Sequence, residues 1–126
     1  MNIPREVADE IYAVSVTLKS KMFPTGSRVI SPTTVGEDSD WDYAVFADVE
    51  PETLEMMGYQ PHIQYAYIEA SCYYKFVGKH VVNLILCRTQ AEHDFWQKAT
   101  KKAMDKHCKT RPERIKVFQE VRAECQ

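Results

Sequence analysis

The 126-residue chain reads as a single domain of the α+β class, spanning residues 1–126. Three observations predict that class. An apolar stripe of helical period opens the chain. A middle stretch rich in aromatic and β-branched residues reads as strands, and two helix-forming stretches close it.

The elements follow in order. Residues 4–22 read as a helix: Pro4 suits a first helical position, and Val7, Ile11, Val14, Leu18 and Met22 recur every three or four residues. Pro24-Thr25-Gly26 breaks it. Asp40–Val49 reads as a strand, and Pro51–Met57 as a short helix ended by Gly58. Ile63–Val77 and His80–Cys87 read as two strands joined by a tight turn at Gly78-Lys79. In that hairpin Asn83 faces Tyr74, and Glu69 faces Arg88. Helices over about Gln90–His107 and Pro112–Ala123 finish the chain. Trp96, Ala99, Ala103, Ile115, Phe118 and Val121 are expected to cover one face of the sheet.

Composition narrows the function classes. A hydrophobic share of 44% and a charged share of 27% are ordinary for a soluble globular domain. No apolar run approaches the roughly 20 residues of a bilayer span, and MNIPREVADEIY lacks the apolar core of a signal peptide. A cytoplasmic protein with no membrane partner is the expectation. Cys72, Cys87, Cys108 and Cys125 form no C-x-x-C pair and are expected as reduced thiols. His62, His80, His93 and His107 lack zinc-ligand spacing. Residues 1–97 hold 7 Lys/Arg against 14 Asp/Glu, and residues 98–126 hold 9 against 4. The basic end is read first as a solvated helix face, and otherwise as a guide for a polyanionic substrate.

The chemistry concentrates in Gly26–Phe46, GSRVISPTTVGEDSDWDYAVF. On a strand, Asp40 and Asp42 point to the same side. Paired carboxylates on an apolar strand repel unless a cation lies between them, and hard oxygen donors suit Mg2+ or Mn2+ together with a phosphate. Gly26 permits close backbone approach, and Ser27 brings a hydroxyl. Two other readings compete. Asp38, Asp40 and Asp42 also fit a solvated turn without a ligand. A calcium loop starting at Asp38 needs Gly at its sixth position and Glu at its twelfth, and Tyr43 and Val49 stand there, so that reading fails.

Gly26-Ser27, twelve intervening residues, then Asp40-Trp41-Asp42 and an apolar run resembles the signature of the polymerase-beta-like nucleotidyltransferases. It looks most like their small single-domain members, including those carried by bacteriophages. Asn83-Leu84-Ile85 and the Phe/Trp-bearing C-terminal helices, Phe95-Trp96 through Phe118-Gln119, look similar as well. The resemblance implies a nucleotidyltransferase-like mixed β-sheet flanked by an N-terminal helix and C-terminal helices. It implies transfer of a nucleoside monophosphate from an NTP, with Mg2+ or Mn2+ on Asp40 and Asp42. Gly26, Ser27 and Arg28 would then bind the nucleotide; Lys75 is a weaker phosphate contact. A phage-encoded protein would work in the host cytoplasm.

Two positions depart from the family pattern. A third acid, which helps hold the second metal and deprotonates the attacking hydroxyl, is expected on the strand of Asn83. An amide oxygen still ligates a cation there, but it is no base. By strand alternation Glu69 lies on the other face and does not replace it. Ser31 stands where many members have glycine.

Two functions follow as expectations. One is a metal-dependent nucleotidyltransferase with Asp40, Asp42 and Asn83 as its catalytic residues, acting on RNA, a protein or a small molecule. The other is a weakened module of the same fold that binds a nucleotide or a host protein. The oligomeric state is open: a small domain with no lid often receives its acceptor from a partner protein or, as a homodimer, from a second subunit, and nothing in the sequence decides this. RNA binding through Lys98, Lys101, Lys102, Lys106 and Lys109 is a weaker third reading, because no aromatics interleave with them.

Overall fold

Helix α1 (Arg5–Leu18) stops where Lys19 turns left-handed (φ 50°) and Ser20 N–H bonds to Ser15 O. The expected helix ran on to Met22. Instead Lys21–Thr25 forms strand β1, which pairs antiparallel with β2 (Trp41–Phe46). Ladder bonds along the open edge of β2 outweigh one more turn of stripe, so tertiary pairing overrides the local period. Between β1 and β2 come the single-turn helix α2 (Ser27–Ile30) and a loop. The structure, a computed structural model, describes residues 2–125. Met1 and Gln126, the outermost residues of the expected domain, lie outside them.

After β2 come helix α3 (Pro51–Met56), strand β3 (Gln60–His62) and a 3-10 turn at Ala66–Ile68. The hairpin β4 (Ser71–Val77) and β5 (His80–Cys87) follows, and then helices α4 (Gln90–Asp105) and α5 (Arg111–Glu124). The expected strand over 63–77 is thus regular only from Ser71. A strand would send Tyr65 and Ile68, three apart, to opposite faces. The turn buries both in one cluster, with Tyr65 edge-on to Trp96 at 5.0 Å between centroids.

The five strands described form one sheet in the order β1-β2-β5-β4-β3. Only β2 and β5 run parallel; the other pairs are antiparallel. The sheet is therefore mixed, within an α+β architecture. Tyr74 faces Asn83 in the hairpin, as its turn dictates. Glu69 does not face Arg88: it precedes β4 with a left-handed backbone (φ 57°), and Arg88 pairs with Asp48 and Glu50.

Alternation sorts the sheet into two covered faces. Trp41, Tyr43, Val45, Val82, Leu84 and Leu86 pack with Val7, Val14 and Leu18 of α1 and Leu54 of α3. Ala44, Cys72, Ile85 and Cys87 pack with Trp96, Ala99, Ala103, Phe118 and Val121 of α4 and α5. Asp42 and Asn83 fall on this second face, just beyond its apolar part. All four cysteines are free, three of them buried. Among the described residues no helix is long and apolar enough to cross a membrane.

Candidate functional site

Strand register brings the site together. Thr25 pairs with Asp42 across β1 and β2, and Asp42 pairs with Asn83 across β2 and β5. Gly26, the next residue after Thr25, therefore lands beside the Asp42 carboxylate. A Cβ there would lie 2.8 Å from Asp42 Cγ, and the backbone is left-handed (φ 78°), so both space and conformation require glycine. Thr25 is itself anchored from below by a buried 2.7 Å hydroxyl pair with Thr100 of α4.

Asp40 and Asp42 reach the same atom. Asn83 Nδ2 lies 2.9 Å from Asp40 Oδ2, 2.8 Å from Asp42 Oδ1 and 2.9 Å from Gln64 Oε1. Asp42 is 5% exposed and also accepts a 3.2 Å bond from Tyr65 Oη. Burial pushes its carboxyl up to about 6, and the Asp40 charge adds to that. The bonds from Asn83 and Tyr65 pull the other way, as does the charge of Arg114. Burial lifts Tyr65 well above a free phenol, so it stays the donor.

A cavity of about 260 Å³ opens from these groups. Gly26, Ser27, Asp40 and Asp42 line one side, with Arg111 and Arg114 of α5 among its other walls. Arg114 Nη1 donates to Ser31 Oγ at 2.9 Å, and Ser31, 2% exposed, in turn donates to Cys108 O. Arg111 Nη2 reaches Gln64 O at 3.4 Å. Tyr67, Ile115 and Phe118 give the cavity an apolar side.

Of the residues singled out from sequence, Gly26, Ser27, Asp40, Asp42 and Asn83 come together. Arg28 does not line the cavity. It stacks on Trp41, 3.9 Å from the ring centroid, and donates to Ser39 O and Glu37 O, pinning the loop that carries Asp40. Lys75 points to the other sheet face and pairs with Glu10 at 3.1 Å. Lys98 and Lys102 share Glu124, and Lys106 pairs with Glu120, so two carboxylates of α5 offset part of this basic face. Sequence reading passed over Gln64, Tyr65, Arg111 and Arg114. The arginines carried a signal: they lie three apart at the start of a helix in the basic segment, which places both on one side.

Among the described residues no group of three or more His, Cys, Asp or Glu is placed to hold a metal. The donor set here is different: two carboxylates and the Gln64 carboxamide turn oxygens to one point, which the Asn83 amide nitrogen occupies. Asn83 is fully buried, and its Oδ1 has no hydrogen-bond partner. Mg2+ asks for one or two carboxylates and fills the rest of its shell with neutral oxygens, water and phosphate. The residues present fit that ion. No family model, curated protein or solved structure matches the chain.

Proposed function

We propose that this chain is a metal-dependent nucleotidyltransferase, which transfers a nucleoside monophosphate from an NTP to a hydroxyl or phosphate acceptor. One observation carries the reading. Asp40 and Asp42 converge on a single nitrogen, with the side-chain-free Gly26 against Asp42 and Arg114 on the same cavity. Carboxylates for a cation, a tight bend for polyphosphate and guanidinium groups for its charge are the parts that phosphoryl transfer needs.

In this reading Asp40 and Asp42 would hold Mg2+ or Mn2+, which would supply charge neutralisation and polarisation at the phosphates. Gly26 gives up its side-chain space to the Asp42 carboxylate and so sets that acid beside the bend, where Ser27 offers the phosphate chain a hydroxyl. Arg111 and Arg114 oppose the negative charge that grows as pyrophosphate leaves. The acceptor oxygen forms a bond to the α-phosphorus while the bond from that phosphorus to the pyrophosphate oxygen breaks. Asn83 is neutral and takes no proton, so the acceptor must arrive ionised or lose its proton to solvent.

The neutral Asn83 also favours a second reading, a module of similar build that binds nucleotide without turnover. One assay separates the two. The protein is incubated with each labelled NTP, Mg2+ or Mn2+, and cell extract, and labelled product is sought. Turnover that Asp42→Asn abolishes supports the enzyme; metal-dependent nucleotide binding without product supports the module. Absence of metal-dependent nucleotide binding removes both.

A further inference from the structure

We infer that Gln64 is a ligand of the divalent cation, and that Asn83 joins it by turning its carboxamide end for end. This rests on the reading of the site as cation-dependent. An amide nitrogen carries two hydrogens. Around Asn83 Nδ2 stand three oxygens, Asp40 Oδ2, Asp42 Oδ1 and Gln64 Oε1, all between 2.8 and 2.9 Å away. One of the three is left without a hydrogen, while Asn83 Oδ1 is buried with no donor. The carboxamide thus serves as a weak stand-in for positive charge: it satisfies the acids in part and strands its own oxygen.

A cation reverses those demands. Three converging oxygens want a positive centre, and the stranded Oδ1 wants the same one. Turned about its last bond, Asn83 offers that oxygen where its nitrogen now sits. The set becomes two carboxylates and two carboxamide oxygens, whose charge of −2 balances a divalent ion, with the cavity left open for phosphate and water. Gln64 is well held for the task. Its N–H donates to His62 Nδ1 at 3.0 Å, and Arg111 donates to its carbonyl, so the main chain is fixed from both sides.

The test is Mn2+ binding to the full chain, followed by electron paramagnetic resonance, for the natural protein, Gln64→Leu and Gln64→Glu. Gln64 lies between β3 and the 3-10 turn, outside the core clusters, and melting without metal checks that each variant folds. Loss of the ligand in Gln64→Leu is expected to weaken Mn2+ roughly tenfold or more, and the added carboxylate in Gln64→Glu to tighten it. Mg2+ is also expected to move the side-chain amide signal of Asn83 in a proton–nitrogen spectrum, since its hydrogens leave both carboxylates. Equal Mn2+ affinity in the natural protein and Gln64→Leu, with a still Asn83 amide, overturns this inference and leaves the proposed function standing. No Mn2+ binding by the natural protein, even with NTP present, takes both down.

Discussion

A Cβ on residue 26 would stand 2.0 Å from Asp42 Oδ2, so Gly26 and Asp42 share one space. Gly26→Ala sets a methyl group against that carboxylate and strains a left-handed backbone. A loss of roughly 1–3 kcal/mol in urea unfolding is expected. Cation affinity should fall with it, because Asp42 has to move. An alanine variant with unchanged Mn2+ affinity would show that the contact does not matter.

The raised Asp42 carboxyl makes stability depend on pH. Below its ordinary 3.8 the group is protonated in both folded and unfolded chains. Between 3.8 and about 6 the unfolded chain ionises first, so the fold loses stability as pH rises. The loss from this group amounts to about 3 kcal/mol and levels off above the window. Asp42→Asn should therefore be the more stable protein at neutral pH and show no such slope, while losing cation binding and turnover. Urea melts of both proteins from pH 3.5 to 8 measure the difference.

A cation needs Asp42 ionised, so affinity should climb with pH up to about 6 and then flatten. Tyr65 Oη donates to the charged form of Asp42 and holds its carboxyl down. Tyr65→Phe removes that bond and should shift the midpoint of the Mn2+ affinity curve to higher pH. A midpoint that stays put would argue that the bond is weak in solution.

Arg114 and Arg28 should differ in what they affect. Arg114→Gln takes a guanidinium off the cavity and is expected to weaken NTP binding about tenfold or more, with little change in melting. Arg28→Gln removes the stacking on Trp41 and the clamp on Ser39 and Glu37, so its first effect should be a lower melting temperature. The two are compared by nucleotide titration and thermal melts. The opposite pattern would return the phosphate contact to Arg28.

The sequence showed most where a local rule settles geometry. The two-residue turn at Gly78-Lys79 set the pairing of Tyr74 with Asn83. The expected strand from Asp40 begins only at Trp41, so Asp40 meets Asp42 at Asn83 from the loop that Arg28 clamps and not by strand alternation. Strand β1 was hidden because Met22 also continues the helical stripe, and only pairing with β2 decides against helix. Tyr65 and Gln64 were hidden for a related reason: their segment has strand-like composition but folds as a turn to bury Tyr65 and Ile68 together. The arginines of α5 reach the cavity only through the packing of that helix, which spacing along the chain cannot give. Ser31 stood out as a departure from the family pattern. Its use, as the acceptor that holds Arg114, needed the fold.

Asp42 and Asn83 are 41 positions apart in the chain, and they meet across the one parallel pairing in the sheet. Such a contact closes late in folding, because a long loop must be brought home before anything rewards it. A half-formed chain with its hairpin and helices in place still has no complete cage for an ion. On the proposed reading, metal should therefore recognise only the finished protein and draw the equilibrium toward it. Ion uptake in a refolding experiment should lag behind helix formation and coincide with the final step.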